Sequence, residues 1–248
     1  MSRTIMSIMI IIPARMASTR LPGKPLADIG GKPMIGHMID IAQRSGLGPV
    51  LVAAGDQAIV DAVADVPVIL TDPDLPSGSD RIEQALQASG ATPEIVVNLQ
   101  GDVPLLDPAA LRHCVEILQV SDADIATLVV AVPRLDIADD TSSVKAVVDW
   151  KDQQLGKALY FSRAAVPFGQ DPLYYHVGIY AYKRQSLAEF VAAPPHPLEE
   201  IEKLEQLRAL GLGMHIAVGR TQEIPLGVDT AADLEKARQI LQRKTHEP

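Results

Sequence analysis

An open α/β sheet of mostly parallel strands is the fold class the sequence predicts, and three observations carry it. Short apolar runs alternate with segments of helical period. The runs are continuous hydrocarbon rather than alternating, as strands are when helices cover both faces of a parallel sheet. Charged, turn-rich segments follow directly on the runs, and sheets of this kind bind ligands outside the carboxyl ends of their strands.

Taken in order, residues 8–13, 50–53, 66–70 and 95–99 are the predicted strands of the first half. Between them, 34–44, 57–64 and 79–87 carry apolar residues at every third or fourth position and are predicted helices. Each informative loop falls just after a strand: 15–24 after the first, "TDPDLPSGSDR" (71–81) after the third and "NLQGDVP" (98–104) after the fourth. Three loops would then share one crevice.

From residue 125 the pattern changes to strands at 125–132, 144–150, 158–162 and 174–182, a mixed β extension without long helices between them. Leu198, Ile201, Leu204, Leu207 and Leu210 recur every three residues, which predicts one amphipathic helix ending at Gly211. Thr230 is the predicted cap of a last helix.

At 248 residues and 47% hydrophobic, the chain can bury a sizeable core, and 1–248 is read as a single domain. Its net charge of −9 argues against a general nucleic-acid binder. Cys114 is the only cysteine, so an intrachain disulfide and a cysteine-rich zinc site are both excluded. The run 8–12 is too short to span a membrane and no leader pattern is evident, so a cytoplasmic protein without membrane insertion is expected.

Against that acidic background, Arg15, Arg20 and Lys24 stand within ten residues alongside Ser18, Thr19, Pro22 and Gly23. Side-chain and backbone donors in such a turn can wrap a polyphosphate, and a nucleoside triphosphate is the natural candidate. The plainer alternative is a solvated basic turn. Neither a Walker A lysine nor a G-x-G-x-x-G turn is present, so a different kind of triphosphate site is needed.

The blocks "IIPARMASTRLPGKPLADIGGKPMI", "VNLQGD", "ALYFSRAAVP", "HVGIYAY", "PLEEIEKLEQLR" and "GVDTAADLEKAR" together resemble the CMP-Kdo synthetase (3-deoxy-manno-octulosonate cytidylyltransferase) family, within the wider sugar nucleotidyltransferase class. The resemblance runs from about residue 8 to about 242. It implies a Rossmann-like nucleotidyltransferase sheet, with 1–120 the CTP-binding part and about 125–215 the part for sugar binding and dimer contacts. It also implies that CTP with Mg²⁺ and an acidic eight-carbon sugar, Kdo, yield CMP-Kdo and pyrophosphate for lipopolysaccharide biosynthesis, by a homodimer.

Residue by residue, the resemblance gives Arg15, Arg20 and Lys24 the triphosphate, and Ser77, Gly78 and Arg81 the cytosine side. Gln100 would position the nucleotide, while Asp102 and Asp229 hold magnesium. Arg15, Lys24, Asp102 and Asp229 form its catalytic set. On the acceptor side it implies Arg163 for the sugar carboxylate and His176, Tyr180, Glu205 and Gln206 for the hydroxyls. Each has a structural alternative: a turn or helix cap for the aspartates, a surface ion pair for Arg163, a core side chain for His176, a polar helix face for Glu205 and Gln206. The general base stays open between metal activation of the hydroxyl and His176.

Three departures stand out. Val103 replaces the usual acidic residue after "GD", Leu75 and Pro76 stand where a histidine is common, and the connection 169–174 is short. They keep open a related acceptor such as 8-amino-Kdo, and a non-catalytic sugar-nucleotide sensor.

Overall fold

The computed structural model describes residues 6–18 and 20–246, so Thr19 of the charged loop lies outside the described residues. They divide into two compact units: one runs to Leu111 and takes up the chain again from Pro225, and the other is Arg112–Ile224.

In the first unit β1 (Ile8–Ala14), β2 (Val50–Ala54), β3 (Val68–Leu70) and β4 (Ile95–Leu99) lie side by side in the order β3-β2-β1-β4. All are parallel. Successive strand residues point to opposite faces, yet Ile10, Ile11 and Ile12 are all fully buried, so both faces of β1 are covered. Helices α1 (Met34–Ser45) and α3 (Gly78–Ser89) both pack on β1, and the short α2 (Gln57–Ala62) packs on β2 and β3. The continuous hydrocarbon in the sequence is the consequence.

The chain from Pro225 onward belongs to this unit because of its apolar residues. Val228, Leu234 and Ala237 are buried with Ile29 and Met34. The Val228 N–H donates to the Asp102 carbonyl at 2.8 Å. The last helix is Ala231–His246, capped by Thr230 as predicted: the Asp233 N–H donates to Thr230 Oγ1 at 3.2 Å, and the Thr230 N–H to the Asp233 carboxylate at 2.9 Å.

The unit boundary falls within α4 (Pro108–Val120), an element absent from the sequence reading. The second unit holds β5 (Ile125–Val132), β6 (Lys145–Trp150), β7 (Leu155–Ser162), β8 (Leu173–Lys183) and β9 (Ile216–Thr221), ordered β8-β5-β9-β7-β6. Tyr174 of β8 also pairs with Ala146 of β6, so the five strands close on themselves. Only β5 and β9 run parallel; the other pairs are antiparallel.

The single helix expected over 198–210 is corrected by the structure. After α5 (Arg184–Ala192), the segment forms α6 (Pro197–Glu202) and α7 (Gln206–Gly211), separated at Lys203 with φ 57°. Tertiary bonds take the helix's carbonyls: Arg163 donates to the carbonyls of Glu202 at 2.8 Å and Lys203 at 3.4 Å. The apolar stripe is interrupted accordingly. Leu204 and Leu207 are buried, whereas Ile201 is 76% exposed.

Candidate active site

Strand β1 delivers the chain into the charged loop and sets its start. The Gly55 N–H donates to the Ala14 carbonyl at 2.8 Å, the last bond before Arg15. The loop is then closed on itself, because the Gly23 N–H donates to the Met16 carbonyl at 3.1 Å. Gly23 has φ 73°, a conformation L side chains rarely adopt, and it leads into a 3₁₀ turn, Lys24–Leu26. Lys24 is thereby aimed inward, its side chain 16% exposed, while Arg15 and Arg20 stay exposed.

Lys24 Nζ donates to Asp102 and to Asp229, each at 3.0 Å. Arg20 pairs with the other oxygen of Asp229 at 2.9 Å. Burial works against the Lys24 charge, but the two carboxylates outweigh it and raise its pKa above the ordinary lysine value. The aspartates arrive from β4 and from the segment before the last helix, 127 residues apart (229 − 102). Since the Thr230–Asp233 pair caps that helix, the Asp229 carboxylate is left to face Lys24 and Arg20.

Around these charges lies a cavity of about 350 Å³, lined by Arg15, Arg20, Lys24, Ser77, Gly78, Arg81, Gln100 and Asp102 among others. Every nucleotide-side residue expected from the sequence thus meets in one place. The roles within it differ. Ser77 caps α3, accepting the Asp80 N–H at 3.2 Å. Gln100 donates to Asn98 Oδ1 at 3.3 Å.

Arg81 is buried and commits its guanidinium to Thr71 Oγ1 and to the carbonyls of Asp72 and Pro73, shaping the loop above the cavity. Burial, and then the charge of Arg15, pull its pKa below the ordinary arginine value; Asp56 and Asp72 act in the opposite sense. Asp56, which the sequence reading passed over, accepts the Met16 N–H at 2.7 Å.

The acceptor-side residues lie in the second unit and are far more enclosed. Arg163 donates to the carbonyls of Glu202, Thr141 and Lys203, and its own N–H goes to the Glu202 carboxylate at 2.9 Å. This is a network within the fold, not the surface ion pair weighed as its alternative. His176, offered for hydroxyl recognition with a core side chain as its alternative, is buried. It is 7% exposed, lies 3.0 Å from Thr127 Oγ1 and packs against Phe161 and Tyr180. Burial alone lowers its pKa to about 3, so the ring is neutral. Tyr180 and Gln206 are also buried, and Glu205 is half-buried at the start of α7.

The structure of a nucleotidyl transferase from Methanothermobacter matches the fold with a TM-score of 0.63 over 96% of this chain and 99% of its own, a likeness of fold alone at 18% identity. Residues 9–216 match the family model described as cytidylyltransferase, and the chain belongs to that family. It is 51% identical over 243 residues to a 3-deoxy-manno-octulosonate cytidylyltransferase of Parvibaculum lavamentivorans, covering 96% of this chain and 93% of the relative. The structure of a CMP:2-keto-3-deoxy-manno-octonic acid synthetase complexed with CTP has a TM-score of 0.89 at 36% identity, over 96% of this chain and 99% of its own.

Proposed function

We propose that this chain is a 3-deoxy-manno-octulosonate cytidylyltransferase, joining the cytidylyl group of CTP to Kdo with release of pyrophosphate. The observation that carries this reading is the convergence of Asp102 and Asp229 on one ammonium, at the rim of a cavity furnished with Arg15 and Arg20. In this reading the three cations bind the triphosphate, and Lys24 exchanges its carboxylate partners for phosphate oxygens. The anomeric hydroxyl of the sugar attacks the α-phosphorus in line, and pyrophosphate leaves on the opposite side.

The donor set fits magnesium. Both carboxylates face a single point, and hard divalent ions prefer oxygen ligands. Among the described residues no group of three or more His, Cys, Asp or Glu gathers to hold a metal, so phosphate and water oxygens would complete its shell. When bound, the ion would neutralise charge on the triphosphate as pyrophosphate departs. The buried, weakly basic His176 does not support a role as general base.

Arg163, His176, Tyr180, Glu205 and Gln206 remain our candidates for acceptor recognition on the ground of the family resemblance. The same ground carries a homodimer and a cytoplasmic location. Among the described residues no helix is long and apolar enough to cross a membrane. The test is pyrophosphate release by the purified protein with magnesium, CTP and Kdo each omitted in turn, and with UTP or 8-amino-Kdo substituted. Release that persists without Kdo, or none with all three present, would overturn the reading.

A further inference from the structure

Asp56 stands immediately before α2 with φ −145° and ψ 142°, the extended backbone of an N-cap residue. An aspartate there ordinarily accepts an N–H from the first turn of its own helix. Asp56 makes no such bond. Its carboxylate instead reaches across 40 residues of sequence to the Met16 N–H at 2.7 Å.

The peptides on either side of Arg15 are therefore both held from the same corner. Ala14 is fixed through its carbonyl by the Gly55 N–H at 2.8 Å, and Met16 through its N–H by Asp56. Met16 passes the constraint on, since its carbonyl accepts the Gly23 N–H at 3.1 Å at the entry to the turn that carries Lys24. Gly55 is required for closeness: a Cβ there would lie 2.7 Å from Arg81 Nη1 and 3.1 Å from Arg15 Cβ.

We propose that Asp56 is a positioning residue for triphosphate binding, a clamp on the Met16 peptide that fixes Arg15 directly and Lys24 through Gly23. The inference rests on the reading of the loop as a triphosphate site. It also makes a distinctive demand, because a negative charge under an anion site works against binding unless its hydrogen bond contributes more than its charge subtracts. The carboxylate acts on Arg81, whose charge its attraction supports.

Three proteins separate the bond from the charge: wild type, Asp56→Asn, which keeps an oxygen acceptor without the charge, and Asp56→Ala, which loses both. CTP binding measured by calorimetry should weaken about tenfold in Asp56→Ala, while Asp56→Asn binds CTP at least as tightly as wild type. In turnover the loss should appear in KM for CTP, with KM for Kdo unmoved. Amide exchange at Met16 and Gly23 gives a readout that needs no substrate, with protection in wild type and Asp56→Asn and fast exchange in Asp56→Ala. CTP affinity in folded Asp56→Ala equal to wild type, or an unprotected Met16 amide in wild type, would overturn the clamp. Should Asp56→Ala not fold, wild-type exchange and Asp56→Asn affinity decide the matter. A protected Met16 in a wild type that binds no CTP would instead bring down the triphosphate reading, and with it the purpose of the clamp.

Discussion

The two units use charged and polar side chains in opposite ways. In the first, Arg15, Arg20, Asp102 and Asp229 stay partly exposed around a cavity, and Lys24 is shared between two carboxylates. In the second, two cations, Lys145 and Arg163, are committed to the main chain instead. Lys145 is fully buried and donates to the carbonyls of Asp140 at 2.6 Å and Arg163 at 2.9 Å, and Arg163 is tied to three further carbonyls. Charge arrayed around a hollow can change partners when a ligand arrives, whereas charge committed to main-chain carbonyls holds a fold. Substitutions among the charges around the cavity should therefore register as lost activity, and substitutions of the cations committed to carbonyls, Lys145 and Arg163, as lost stability.

The largest effect should come from Asp102→Asn and Asp229→Asn. Each should lower turnover roughly 10²–10³-fold, the size that follows removal of one transition-state electrostatic contact, with an unchanged melting temperature. Asparagine caps turns and helices about as well as aspartate. Near-normal pyrophosphate release from either variant would thus reduce the pair to structural caps and erase the contrast between the units.

Next in size, Lys24→Ala should weaken CTP binding by about 1.5–3 kcal/mol, one charge-assisted contact. It also leaves Asp102 and Asp229 without their shared counter-ion, so magnesium binding to the CTP-free protein should tighten. A calorimetric magnesium titration showing weaker binding than wild type would mean that the ammonium and the metal do not compete for the same oxygens.

In the second unit the expected signature is pH-dependent stability. The unfolded His176 titrates near 6.5, whereas in the fold burial holds it at about 3. Between these values the unfolded chain binds the extra proton, so the stabilising effect of the neutral ring is complete above about pH 6.5 and is lost as pH falls toward 3. The slope contributed is at most about 1.4 kcal/mol per pH unit. His176→Gln should flatten that limb in denaturant titrations at pH 4–6.5. An unaltered slope would mean that His176 is not the buried neutral group described.

Smallest is Arg163→Ala, which removes partly exposed bonds to three carbonyls and should cost about 1–2 kcal/mol of folding stability. Loss of acceptor affinity with no change in melting temperature would sharpen the comparison in the other direction, by assigning Arg163 to the ligand.

The parts legible in the sequence were those written in local pattern. Unbroken hydrocarbon marked β1, β2 and β4, and the cavity's residues were found because they sit in the loops that follow β1, β3 and β4. Helix α4 carried a comparable signal that was passed over: Asp107 before Pro108, then buried Leu111, Cys114, Val115 and Leu118 at helical spacing. What local pattern does not encode is commitment to a distant partner. Nothing near Lys203 announces that Arg163 will take the helix carbonyls, and nothing near Asp56 announces that its carboxylate will leave its own helix for Met16.

Asp229 reaches Lys24 only because the chain comes back to the first unit after more than a hundred residues spent elsewhere. During synthesis the charged loop, the cavity and Asp102 emerge early. At ~5–20 residues per second, the second carboxylate follows on the order of ten seconds later. Until then Lys24 has one partner instead of two, and the apolar cluster that seats Val228, Leu234 and Ala237 is open. A nascent or prematurely released chain therefore lacks the second carboxylate, and a translation product that stops before Asp229 should release pyrophosphate at most as fast as Asp229→Asn does.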